Sequence, residues 1–256
     1  MSIYTDYERL FAATMQREGK PNPAKSFKGW QADAVLTRRA FILVTSMFER
    51  ERADILKKYS TTTASEMLTE RRNTYNALRK SAEDGLRAKL DEVIASKKAC
   101  IQRACKAPTT DDTNLLAVLN MRSKLTTNDI IHAAESVGDN LLSLATLADI
   151  CNRHGLDIPI PTAEKYEEML DRAEEFARSR ISEAFLPEKN MTYYGLEFYN
   201  YSDAPESNAT RFFDELDNSV FTSEQIRTPG EQAAAWKAEL AAKMKGNNGS
   251  ESEAAE

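Results

Sequence analysis

Glycine and proline are scarce in this chain, nine of one and eight of the other in 256 residues. A sheet-rich fold needs a tight turn every few residues. So few breakers, among many Ala, Leu, Lys, Glu and Arg, argue against an all-β fold and favour helices. Long apolar runs are also missing. The longest strongly apolar stretch is Phe41 to Val44, far short of the about 18 to 20 residues that span a bilayer. The amino terminus, MSIYTDYERLF, lacks the basic flank and apolar core of a leader. The expectation is a soluble chain with no membrane partner, located in a cytoplasm or in a virion assembled there. Three cysteines, Cys100, Cys105 and Cys151, fit reduced thiols better than a disulfide framework.

Recognisable catalytic chemistry is absent too. There is no G-x-G-x-x-G fingerprint, Walker loop, H-E-x-x-H helix or nucleophile elbow. His132 and His154 are the only histidines, and neither has a second His or Cys three or four residues on. Cys100 and Cys105 stand about 140° apart around a helix, a poor arrangement for one metal ion. Adjacent acids such as Glu167 and Glu168, or Glu174 and Glu175, point to different places and read as a solvated face. No metal, cofactor or catalytic residue is assigned, and the chain is expected not to be an enzyme.

What is present is helical period on an unusual scale. From Thr63 to Lys106 there is no proline and one glycine, Gly85. A continuous helix there would be about 65 Å long, more than the about 45 Å diameter of a compact globule of this size. Its apolar stripe (Leu68, Tyr75, Leu78, Ala82, Leu86, Leu90, Val93 or Ile94, Ile101) recurs near every 3.6 residues, which describes one apolar face rather than a strict coiled-coil seam. The polar Lys97 interrupts that stripe. Thr63 and Glu66 have the spacing of a capping box that would start this helix. A preceding helix is expected from about Trp30 to Tyr59, apolar in its first half and charged in its second. The two form an antiparallel hairpin whose tip, near Ser60 to Thr63, is exposed, charged and poor in apolar residues.

The rest divides by its punctuation. A short helix over Asp6 to Glu18 is a docking element, ended by Gly19, Pro21 and Pro23. Three short helices follow Pro108, with caps at Thr126 and Thr127 and a break at Gly138. Gly155 and the sequence DIPIP (Asp157 to Pro161) force an extended connection and mark an internal boundary. Thr162 caps a helix of about twenty residues. Then come an aromatic stretch, MTYYGLEFYNY, a short apolar patch at Phe212, Phe213 and Leu216, and an alanine-rich helix holding Trp236. A polar tail closes the chain. The expected fold is all-α: a long antiparallel hairpin, a bundle of shorter helices and a flexible C-terminal tail. Its segments are 1–29, 30–106, 107–156, 157–228 and 229–256.

Charge is split along the chain. Residues 1 to 106 hold 21 Lys and Arg against 13 Asp and Glu, while residues 107 to 256 hold 13 against 27. Basic side chains suited to phosphate are Arg38, Arg39, Arg71, Arg72, Lys97 and Lys98, although Glu66 and Glu70 compete for the arginine pair. For protein partners, the aromatic side chains Tyr193, Tyr194, Phe198, Tyr199 and Tyr201 and the lone Trp236 combine apolar area with polar tips. Packing of these aromatics on the chain's own helices is the alternative.

The stretch LLAVLNMRSKLTTNDIIHAAESVGDNLLSLATLADIC, Leu115 to Cys151, resembles helical proteins from the structural gene modules of tailed phages and prophages. The resemblance covers about a seventh of the chain and transfers no catalytic residue. It implies a role in head or tail assembly, without the strands of the coat-protein fold. The expected function is a noncatalytic scaffold, accessory or adaptor that docks onto protein partners, itself included. The alternative is a nucleic-acid-binding accessory that uses the basic first 106 residues.

Overall fold

The structure is a computed structural model that describes residues 4–18, 26–186, 190, 198–199, 213 and 216–217. Among these residues it is all-α, with no strand. The helices are α1 (Tyr4–Glu18), α2 (Phe27–Lys58), α3 (Thr61–Ala104), α4 (Thr110–Met121), α5 (Thr127–Val137), α6 (Leu141–Arg153) and α7 (Ala163–Ile181), which runs into a 3-10 turn at Ser182–Phe185. Contacts divide the chain into two compact units, Met1–Lys97 with Met169–Ser219, and Lys98–Glu168 with Val220–Glu256. The division therefore falls inside α3 and α7. The extended connection at DIPIP lies within the second unit.

The first unit is built on the α2–α3 hairpin. Ser26 starts α2, its hydroxyl accepting from the Gly29 amide. Lys57 and Lys58 in the last turn oppose the helix dipole. Antiparallel pairing is visible in the partners. Near the open end the Trp30 indole donates to the Leu86 carbonyl at 3.0 Å and Asp33 pairs with Lys89 at 2.6 Å. Midway, the Thr45 and Tyr75 hydroxyls are 3.0 Å apart, and Glu51 meets Arg71 at 3.7 Å toward the tip. The long helix is uninterrupted, but it starts at Thr61, two residues before the expected box. Ser60 is its first cap, with its hydroxyl 3.2 Å from that of Thr63 and its carbonyl accepting from Ala64. Glu66 thus falls past the position from which a capping carboxylate reaches back.

Helix α1 packs along α2, buries Tyr7 and sets Phe11 edge-on to Phe41 with ring centroids 5.5 Å apart. This docking element thus binds its own chain. The core lies at the open end of the hairpin, where Phe27, Trp30, Phe41, Leu86 and Leu90 are buried together with Leu170, Ala173, Ala177 and Ile181 of α7. Toward the tip the packing thins. Between Thr61 and Gly85 only Ala64 and Thr74 of α3 are buried.

The second unit contains three short helices that pack on one another. Threonine caps set their starts. Thr109 with Asp112 and Thr126 with Asp129 each form the reciprocal box, and the hydrogen bonds from Thr126 hold the Asp129 carboxyl below its ordinary pKa. Asn140 caps α6. Gly138, at φ 70° and ψ −129°, turns the chain between α5 and α6 in a conformation that a side chain would strain. The buried residues Ile130, Ala133, Leu141, Leu144, Leu147 and Ile150 follow the apolar positions of α5 and α6.

Candidate docking surface

Ionisable groups in the interior of the first unit serve as ties between its parts. The Tyr7 hydroxyl donates to Glu51 at 2.5 Å, and Glu51 also meets Arg71 at 3.7 Å, so one carboxylate joins α1, α2 and α3. Burial, with Glu51 beside it, raises the Tyr7 pKa well above its ordinary value. Arg38 donates to the carbonyls of Ala184, at 3.3 Å, and Leu186, closing the end of the 3-10 turn. Lys97, 1% exposed, pairs with Asp217 at 3.2 Å. The same carboxylate accepts from the Phe27 and Lys28 amides, each at 3.0 Å, and so satisfies donors left open at the start of α2.

These ties redistribute the expected phosphate-binding residues. Arg38 and Lys97 are buried and Arg71 faces Glu51, while Arg39, Arg72 and Lys98 are exposed. Lys98 belongs to the second unit and the other five to the first. The six do not form one basic face.

Phe198 and Tyr199, expected among the partner-binding aromatics, are buried on the chain's own helices. Phe198 lies 5.8 Å from Trp30 and 6.1 Å from Phe213 between ring centroids, and Phe213 stacks on Phe27 at 5.4 Å. The Tyr199 hydroxyl donates to the Arg180 carbonyl, and burial raises its pKa. Self-packing is the outcome for this pair, because aromatic area of this size is stabilised most where water is excluded. Tyr193, Tyr194, Tyr201 and Trp236 lie outside the described residues.

At the hairpin tip, two of the few apolar side chains are open to water: Leu56 is 56% and Tyr59 47% exposed. They line a cleft of about 300 Å³ with Thr61, Ala64, Ser65, Leu68, Thr69 and Arg72. The hydroxyls of Tyr59, Thr61, Ser65 and Thr69 and the Arg72 guanidinium share its lining with the apolar side chains of Leu56, Ala64 and Leu68. The helical period carried this signal, since Ala64 and Leu68 are one turn apart and share a face with Thr61 and Arg72. The density of nearby charge concealed it.

The described residues contain no cluster of three or more His, Cys, Asp or Glu able to hold a metal ion. His132 is exposed beside Glu135 at 3.3 Å, and His154 follows the last turn of α6. Cys100, Cys105 and Cys151 are unpaired thiols, with burial raising the pKa of Cys105 and Cys151. Among the described residues, no helix is long and apolar enough to cross a membrane. The class defined by these observations is an all-α protein with a long helical hairpin and a cleft of mixed polar and apolar lining at the hairpin's tip. No protein-family model matches the chain, and no curated protein or solved structure is significantly similar to it.

Proposed function

We propose that this chain is a noncatalytic adaptor or structural component of a phage or virus-like assembly, acting by docking helical surfaces onto protein partners. One observation carries the docking part: Leu56 and Tyr59 stay about half exposed around a cleft of mixed polar and apolar lining, at the end of the hairpin where few side chains are buried. Apolar area held in water on a rigid helical element is available for association. The assembly context rests on the resemblance over Leu115 to Cys151. The nucleic-acid alternative is weakened because Arg38, Lys97 and Arg71 are engaged within the fold.

A photoactivatable crosslinking residue at Tyr59, compared with one at Asn76 in the exposed part of α3, tests the docking reading in extracts of the source cell. The expected result is one defined polypeptide joined through position 59 and not through position 76. Equal labelling from both positions, or none from position 59, refutes it. Retention on DNA or RNA at low salt, weakened by Arg71→Ala with Arg72→Ala, would favour the alternative.

A further inference from the structure

Resting on that docking reading, we infer that the tip cleft receives an acidic amphipathic helix of a partner protein, which presents one bulky apolar side chain with a carboxylate a turn away. The floor of Leu56, Tyr59, Ala64 and Leu68 takes the apolar group. Its volume of about 300 Å³ is at the lower end of ligand pockets, a size for an anchor and not for a broad interface. Charge selects the rest of the partner.

Arg72 is the only charged residue among the eight that line the cleft. It is exposed and makes no hydrogen bond or ion pair among the described residues. Its neighbours are engaged: Arg71 with Glu51, Arg52 with Glu49 and Lys58 with Asp54. Glu66 and Glu70 lie about 120° and 160° around α3 from Arg72, so neither carboxylate shares its face. The cleft therefore presents a guanidinium with no ion pair among the described residues beside apolar side chains, with Lys57 in the adjoining turn and Lys58 there paired with Asp54. A helix placing an apolar residue and an acid at i and i+3 or i+4 matches both features.

The test is selection of a random peptide display library on the immobilised full chain. Enriched peptides are expected to share a bulky apolar residue with Asp or Glu one turn away. Their affinity should fall at least about tenfold with Leu56→Asp, which removes the apolar contact, and up to about fivefold with Arg72→Ala. Arg72→Lys should retain most binding, and Arg72→Glu should shift the selected sequences toward Lys and Arg. Because Leu56 and Arg72 are exposed, unchanged circular dichroism and thermal midpoint serve as fold controls. A basic or uncharged consensus, no enrichment, or binding indifferent to these substitutions overturns the assignment. So does a dimer of the full chain, seen by sedimentation, that Leu56→Asp dissociates, since the occupant would then be a second copy. A tip that crosslinks a partner through Tyr59 but selects no acidic peptide sinks this inference and leaves the adaptor reading standing.

Discussion

Replacing Asp217 with Asn should destabilise the first unit by about 3 kcal/mol, and replacing Lys97 with Met in the same molecule should recover most of that loss. At 3.2 Å the pair attracts by about 5 kcal/mol at an effective dielectric of about 20, before the cost of removing both charges from water. Breaking one half of such a buried pair costs about 3–5 kcal/mol, whereas replacing both halves is often close to neutral. Lys97 is 1% exposed and Asp217 16% exposed, so water reaches only the carboxylate side and the lower end of that range applies. Lys97→Met alone should cost about 1 kcal/mol, because Asp217 keeps its bonds to the Phe27 and Lys28 amides. Urea unfolding followed through Trp30, in a Trp236→Phe background that leaves a single tryptophan, reads this unit. Trp30 suits the purpose because it lies beside Phe198 and Phe213. The double variant should be at least about 1.5 kcal/mol more stable than the sum of the single effects implies. Additivity within about 0.5 kcal/mol, the behaviour of uncoupled sites, would refute the ion-pair account.

Gly85 and Gly138 should respond in opposite directions. A Cβ at Gly85, inside α3, meets nothing within 4 Å, so Gly85→Ala should stabilise by about 0.5–1 kcal/mol and raise the thermal midpoint by about 1–4 °C. Gly138→Ala should cost about 1–3 kcal/mol in chemical denaturation, because its φ of 70° with ψ of −129° is strained for any side chain. Tyr7 and Tyr199 have folded pKa values raised above the ordinary 10.0. Their stabilisation is complete below about pH 10 and fades as pH rises beyond it, since the unfolded tyrosines lose their protons first. Urea midpoints at pH 9 and pH 11 should therefore differ less in Tyr7→Phe with Tyr199→Phe than in the parent, and an equal difference would contradict the burial of these hydroxyls.

Local physics was legible in part. Thr126 and Gly138 mark the ends of α5 because caps and breakers act over three or four residues, whereas Ser60, and not the box at Thr63 and Glu66, opens α3. The hairpin followed from two apolar stripes and a short polar turn. Long-range pairing was not legible in the same way. Arg38 and Lys97 have the side-chain chemistry of phosphate contacts, and their burial depends on the carbonyls of Ala184 and Leu186 and on the carboxylate of Asp217, more than a hundred residues away in each case. Phe198 and Tyr199 look alike whether they meet a partner or Trp30. The tip cleft was hidden because Leu56 and Tyr59 sit among lysines, and composition averages over faces that a helix keeps apart.

The carboxylate that ties Lys97 to the start of α2 also sets an order of events at the ribosome. The first unit is interrupted in sequence, with its parts being Met1–Lys97 and Met169–Ser219. About 120 residues must be synthesised after Lys97 before Asp217 emerges, which takes roughly 6–24 s at about 5–20 residues per second. During that interval Phe27 and Trp30 lack Phe198 and Phe213, and the nascent hairpin exposes aromatic surface. The fold thus contains a waiting period, in which the hairpin's open end is made but not yet covered.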